Sequence, residues 1–376
     1  MNLTLDREKT YALALEGGGA KGAYQIGAWR AFQEAGIRIG AVAGTSVGAL
    51  NGALIAMGDL ERAEEIWRNI RYSQVIDVDD ETMHRLSHGE LKGLDLKGAL
   101  ERMKLVLRNG GFDVSPLYSW MKEVVREEAI RASETELYIV TYSLSDGREL
   151  ELRAKDLAPG AICDMLLASA YLPVFRSEKL GGKRYADGGV RDVLPLHVLI
   201  EAGCRDILAL RLYGVGLTRR VRIPKGVTVT TLAPREDLGG TLEFDAEQSR
   251  QNLTLGYYDA MRLLYGLKGT RYYIDAQLDE MAAYELLMKH IAHYLSGQPV
   301  SLRETHERLL PALGKKLGVK KGDYRDLFLA CLELTAAQAG LDRFQIYTER
   351  DLMEKAALSR WAACPPALIA ALKSAR

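Results

Sequence analysis

Ser46 stands in Gly44-Thr45-Ser46-Val47-Gly48, the spacing of a GxSxG nucleophile elbow. In that motif a strand turns sharply into a helix, the serine hydroxyl projects from the turn, and the helix N-terminus favours negative charge developing on the oxygen. With 36 glycines in the chain, chance produces this pattern in roughly one such sequence in seven, so the surroundings decide its meaning. They agree with an elbow. An apolar run, 37–43, precedes the motif, and Ala49, Gly52 and Ala53 begin a small-residue helix after it. The plain alternative is a serine that only caps a helix.

A serine nucleophile needs a base. The chain has six histidines, and none falls at the end of an expected sheet strand. His84 and His88 lie on a polar helical stretch, and His290, His293 and His306 lie in a helical C-terminal region, where packing or surface roles are expected. His197 stays open, since a Ser…Asp…His order would suit it, although it sits inside a helix starting near Pro195. Asp187, in Asp187-Gly188-Gly189, is the better candidate. It follows a strand-like segment, the two glycines permit a tight turn, and burial would raise an ordinary carboxyl pKa of about 4 into a useful range. Its plain alternative is a turn or capping aspartate.

Gly17-Gly18-Gly19-Ala20-Lys21-Gly22 fits GxGxxG after an apolar strand. A dinucleotide site would also need an acidic residue at the end of the second strand, but Glu34 falls before that strand begins. A P-loop fails as well, because Ala23 stands where its lysine belongs. What such a turn still offers is a row of backbone N–H groups at a helix start, able to hold a phosphate or the oxyanion of acyl transfer. Close packing of helix on strand is the alternative.

The elements that must position these residues follow a strand–turn–helix rhythm. Strand 11–15 leads into the glycine turn and a helix stopped by Gly36; strand 37–43 leads into the serine turn and a helix ending near Gly58. Residues 59–130 read as a helical insertion, with Pro116 starting one helix. Strands 137–142 and 149–153 are joined by the Ser145-Asp146-Gly147 turn. A helix near 161–170, the segment 183–186, and strands 207–212 and 227–232 follow. From about 245 the chain reads as helical apart from 272–274. The expected domains are 1–275 and a helical region, 276–376, of open role.

Taken in order, GGGAKG, GTSVG and DGG resemble the patatin-like phospholipase family. Ala168-Ser169-Ala170-Tyr171-Leu172-Pro173 is similar to that family's ASxxxP segment. The resemblance spans roughly 10–275. It implies an α/β fold, a three-layer α/β/α sandwich with a mostly parallel central sheet, and a Ser–Asp dyad without histidine. Carried over by position, Ser46 is the nucleophile and Asp187 the general base. The backbone N–H groups of Gly18, Gly19 and Ala20 form the oxyanion hole. Gly17, Gly22, Gly44, Gly48, Gly188 and Gly189 are the motif glycines. The implied substrates are acyl esters of phospholipids, lysophospholipids or neutral lipids, with no metal and no cofactor. One position departs from the pattern: Val193 stands where an asparagine is common, two residues before Pro195.

Composition limits the alternatives. Lys+Arg number 50 and Asp+Glu 50, so the formal net charge is zero, against a dedicated nucleic-acid binder. Cys163, Cys204, Cys331 and Cys364 form no CxxC pair and are expected as reduced thiols of a cytoplasmic protein. The N-terminus carries Asp6-Arg7-Glu8-Lys9 in place of an apolar leader, and no run reaches the roughly 18 residues of a spanning helix. Lys315, Lys316, Lys320 and Lys321 surround Gly318, so peripheral contact with a membrane surface is open. The stretch 165–175 and the helices of 59–130 could form an acyl channel or ordinary core. The same dyad would also suit a short-chain carboxylesterase or an acyltransferase, and a non-catalytic lipid-binding protein could keep the fold. No nucleotide or nucleic-acid partner is expected; oligomeric state is not legible.

Overall fold

The computed structural model describes residues 1–87, 108, 110–176, 178–294, 301–320 and 322–358. Its contacts divide the chain into two units, Leu5–Ala260 and Met1–Thr4 with Met261–Arg376. His88, Lys321, Cys364 and the middle of the expected insertion, 88–107, lie outside the described residues.

Leu5–Ala260 is built on one sheet. Its strands are β1 (Thr10–Leu15), β2 (Arg38–Thr45), β3 (Glu136–Ser143), β4 (Arg148–Arg153), β5 (Tyr185–Asp187), β6 (Asp206–Leu210) and β7 (Thr228–Leu232). The order is β4-β3-β2-β1-β6-β7, with β5 pairing β3 off that path. The pairs β3–β2, β2–β1, β1–β6 and β6–β7 are parallel, while β4 and β5 run antiparallel to β3. This is the mostly parallel, helix-flanked sheet of an α/β/α sandwich.

Period-2 alternation explains both covered faces. Ala12, Ala14, Ala41 and Ala43 point to one side, where they cluster with Val198 and Leu199 of the helix Leu196–Glu201. On the other side Gly52 of α2 (Val47–Met57) lies against Val42 and Leu137. The small residues let both helices approach the sheet closely. α1 (Ala23–Glu34) and α2 each end where a left-handed glycine follows, Gly36 and Gly58.

The sheet also brings the two key segments together. β2 pairs with β3 as far as Thr45↔Val140 and then leaves the sheet at Ser46. The vacated lane beside β3 is taken by β5 from the opposite direction, with Thr141↔Asp187 as its last pair. The two chains therefore meet end to end at Ser46 and Asp187.

The second unit holds the parallel pair Tyr273–Ile274 with Ile346–Tyr347 and the helices Glu280–Tyr294, Leu310–Leu317, Tyr324–Gln338 and Glu349–Leu358. A core including Leu287, Ile291, Leu313, Phe328, Leu332 and Leu352 joins them. The Glu333 carboxylate is buried there and accepts the N–H groups of Thr270, Arg271 and Tyr272. No helix among the described residues is long and apolar enough to cross a membrane.

Candidate active site

Ser46 is held at φ 56°, ψ −126°, a region that non-glycine residues rarely occupy. The turn survives because its neighbours fix it. A Cβ on Gly44 would overlap the backbone of Gly48, and one on Gly48 would overlap the carbonyl of Leu15, so helix and strand touch backbone to backbone. The N–H of Ser46 donates to Ser169 Oγ at 2.8 Å, and Ser169 in turn donates to the carbonyl of Val140 on β3 at 2.6 Å. Thr45 Oγ1 donates to the carbonyl of Asp192 at 3.0 Å. Ser46 itself is 7% exposed, at the N-terminus of α2.

Asp187 is 5% exposed. Its N–H donates to the Tyr171 carbonyl at 2.7 Å, and its Oδ1 accepts the Gly189 N–H at 2.7 Å. No donor among the described residues makes a hydrogen bond of good geometry to Oδ2. Burial pushes this carboxyl up to about 6, with the Ser46 hydroxyl and the Gly189 N–H pulling the other way. The hydroxyl is thus near enough to act on the carboxylate, without a fully formed hydrogen bond between them. Unliganded dyads often show this looseness. Gly188 backs onto the Val140 carbonyl, where a side chain would collide.

The glycine loop runs across the ends of these strands. Gly17 N–H donates to the Val193 carbonyl at 2.9 Å, and Gly22 packs against Val47 and Trp67. Gly19 has φ +58°, and a Cβ there would overlap the Thr241 carbonyl. That same carbonyl accepts the N–H of Ala20 at 2.9 Å. The expectation that Ala20 offers its N–H to an oxyanion is therefore corrected: the donor is already spent inside the protein. The N–H groups of Gly18 and Gly19 have no protein acceptor among the described residues. Val193, which stands where an asparagine is common, bonds through its backbone, accepting from Gly17 and donating to Leu217.

Two clefts meet at Ser46. One is lined by apolar side chains including Leu50, Trp67, Leu117, Met121, Leu166 and Phe175. The stretch 165–175 and the helices of the insertion thus supply both core and cleft wall. The other is lined by Ser46, Asp187, Gly17, Gly18, Gly19 and Gly189, together with the exposed Pro173, Val190 and Val215.

His197 does not join this group. Its Nε2 lies 2.8 Å from Glu151 Oε1 and 3.5 Å from Glu149 Oε1, and its Nδ1 lies 3.0 Å from Asp192 Oδ2. Burial opposes the charged ring, but Asp192 and Glu151 outweigh it and raise its pKa. Glu149, Glu151 and His197 bring three ligand atoms within 4.8 Å of one another. Their charges are already met by the ring and by Arg219, 3.4 Å from Glu149, so the trio reads as an ion-pair network. His84 pairs with Asp245 at 2.9 Å, and His306 meets the Tyr284 hydroxyl at 2.8 Å. Lys315 and Lys316 are exposed in the last turn of a helix, where the macrodipole favours cations.

Sequence reasoning assigned no role to Ser169, although it stands in the ASxxxP segment, nor to Glu16. That buried carboxylate accepts from Arg211 and from the N–H groups of Leu212 and Tyr213, anchoring the glycine loop to the chain after β6. A charged residue between an apolar strand and a glycine run was the available signal. The Asn51 side chain likewise links the Gly22 carbonyl, Gln25 and Trp67.

Residues 13–200 match the family model of the patatin-like phospholipases, and the chain belongs to that family. Among curated proteins it is similar to lysophospholipase NTE1 of Chaetomium globosum (60% identity) and lysophospholipase nte1 of Aspergillus terreus (52%), each over 48 residues. Those 48 residues are 13% of this chain and span only 3% of either relative. The crystal structure of VipD from Legionella pneumophila aligns over 96% of this chain and 90% of its own, at 14% identity and a TM-score of 0.40.

Proposed function

We propose that this protein hydrolyses acyl esters of phospholipids or lysophospholipids through an acyl-enzyme on Ser46. The observation that carries the reading is the junction of the two clefts: Ser46 opens on one side to a wall of aliphatic and aromatic side chains and on the other to Asp187 and the glycine loop. A fatty acyl chain fits the first and the leaving alcohol the second.

Asp187, held near pH 6 and so largely ionised at neutrality, takes the Ser46 proton as Oγ bonds to the ester carbonyl carbon. The carbonyl oxygen becomes an oxyanion facing the N–H groups of Gly18 and Gly19 and the positive end of α2. Collapse breaks the ester C–O bond, and the leaving alcohol takes the proton back from Asp187. Water then attacks the acyl-enzyme and gives its proton to Asp187. The fatty acid leaves as that proton returns to Ser46 Oγ. No step calls for a metal or a cofactor.

A fluorophosphonate probe should label Ser46 in the wild type and nothing in Ser46→Ala. That variant should lose roughly 10⁴–10⁶-fold in kcat on lysophospholipid, as other serine nucleophiles do. Turnover should rise with acyl length until the apolar cleft is filled. A folded wild type that stays unlabelled, or a Ser46→Ala protein with near-normal turnover, would end this reading.

A further inference from the structure

Seven large hydrophobic side chains stand exposed among the described residues of Leu5–Ala260, and four of them, Tyr213, Val215, Leu217 and Ile223, fall within one eleven-residue stretch. Val215 is 84% exposed, Leu217 62% and Tyr213 59%. The same stretch is basic. Residues 207–235 contain no Asp or Glu, and Arg220, Arg222 and Lys225 are exposed with no acidic partner among the described residues. Arg211 and Arg219 are paired instead, with Glu16 and Glu149.

This is not a loose loop. Leu217 N–H donates to the Gly189 carbonyl at 2.9 Å, and its carbonyl accepts from Val193 N–H at 2.7 Å. Arg219 N–H donates to Asp192 Oδ1 at 3.2 Å, and the Tyr213 N–H is held by Glu16. A Cβ on Gly214 would overlap the Gly17 carbonyl. The backbone of Tyr213–Arg219 is therefore fastened to the chain just after Asp187 and to the glycine loop, while Tyr213, Val215 and Leu217 remain exposed. Tyr213 keeps φ +49°, a strained value for an aromatic residue.

We propose that Tyr213–Lys225 is a preformed interfacial docking surface that seats the Ser46–Asp187 cleft on an anionic phospholipid bilayer. Apolar tips set in a rigid backbone enter the headgroup region with little ordering cost, and the adjacent arginines and lysine meet anionic headgroups. The two contributions share one short exposed segment, and Val190 and Val215 also line the dyad cleft. Docking here would present the cleft mouth to lipid. The purpose of this surface rests on the lipid-hydrolase reading; its test does not.

Ser46→Ala protein, unable to turn over lipid, is sedimented with phosphatidylcholine vesicles with and without phosphatidylglycerol. It should bind the anionic vesicles far more strongly, and rising salt should weaken the binding. Adding Leu217→Ser/Ile223→Ser, or separately Arg220→Glu/Arg222→Glu, should each lower the partition coefficient by at least ~10-fold. On the wild-type background these pairs should leave turnover of a water-soluble ester within about twofold, which also certifies folding. Failure of folded protein to bind anionic vesicles, or binding indifferent to both pairs, overturns the proposal. So does a concentration-dependent dimer abolished by Leu217→Ser/Ile223→Ser, which would give the face to a second copy. Vesicle binding that obeys both pairs, in a wild type that hydrolyses no ester, would keep the docking surface and remove the hydrolase reading.

Discussion

Ser169 does no chemistry in the proposed reaction, yet it links the strained residue to the sheet. Its hydroxyl accepts the Ser46 N–H and donates to Val140, and its side chain is completely buried. Replacing it by alanine leaves that N–H and that carbonyl unsatisfied, a cost of about 1–3 kcal/mol. More consequential is the freedom returned to a residue held in a sparsely populated region of φ/ψ space. Ser169 is thus a positioning residue. Ser169→Ala should lower kcat on a soluble ester by ~10-fold or more with little change in KM, since misplacing a nucleophile disturbs the transition state more than substrate binding. Fluorophosphonate labelling should slow in parallel. Equal labelling rates in the two proteins would reduce Ser169 to a packing role. Asp187 shows the complementary arrangement, with one oxygen fixed by Gly189 and the other, among the described residues, left without a formed hydrogen bond.

The strand–turn–helix element around Ser46 depends on two glycines for reasons of space. Gly48→Ala drives a methyl group into the Leu15 carbonyl, and Gly44→Ala drives one into Gly48, where the obstructing atoms are backbone and cannot rotate away. Gly58 makes a suitable comparison: it has φ +74°, but no atom lies within 4 Å of a built Cβ. Gly58→Ala should therefore cost only about 1 kcal/mol of backbone strain. Gly48→Ala should lose ~3 kcal/mol or more, or fail to accumulate as folded protein, as read by urea denaturation. Comparable losses in both variants would refute the crowding argument. This element was legible in the sequence because everything that makes it is local: an apolar run, two spaced glycines and a small-residue helix. The same holds for the Ser145-Asp146-Gly147 hairpin and for Pro116 opening the helix Ser115–Val124. What was not legible depends on contacts distant in sequence. The Ala20 N–H meets Thr241, more than two hundred residues on, and no local pattern announces that an expected oxyanion donor is already engaged. Ile346–Tyr347 is too short for period-2 alternation to show, and only its partner Tyr273–Ile274 makes it a strand. The exposed face of Tyr213–Lys225 is likewise invisible in composition, since valine and leucine ordinarily signal core.

For the molecule as a whole, the same buried carboxyl should set stability and activity against each other. Asp187 has a folded pKa of about 6 against an ordinary value of 3.8, so the folded chain holds its proton more tightly than the unfolded chain does. The sign follows from linkage: this group supports the fold fully below about pH 4, and the support is lost as pH rises through about 6. At pH 8 the ionised, desolvated carboxylate costs on the order of 3 kcal/mol, a large fraction of a typical domain's stability. Activity runs the other way. A general base must be ionised, so kcat/KM on a soluble ester should climb with pH and level off above about 6, where stability has been given up. Asp187→Asn keeps the oxygen that accepts the Gly189 N–H and removes the charge. At pH 8 it should be more stable than wild type by up to ~3 kcal/mol, converging with it near pH 4, while its turnover collapses. Urea titrations followed by tryptophan fluorescence suit the comparison, because three of the four tryptophans, Trp29, Trp67 and Trp120, lie within Leu5–Ala260, the unit that contains Asp187. A stability difference equal at both pH values would mean that charge burial is not its source. A variant that gains stability at pH 8 and keeps its activity would separate the buried carboxylate from the base, and the base would then have to be sought elsewhere in the cleft.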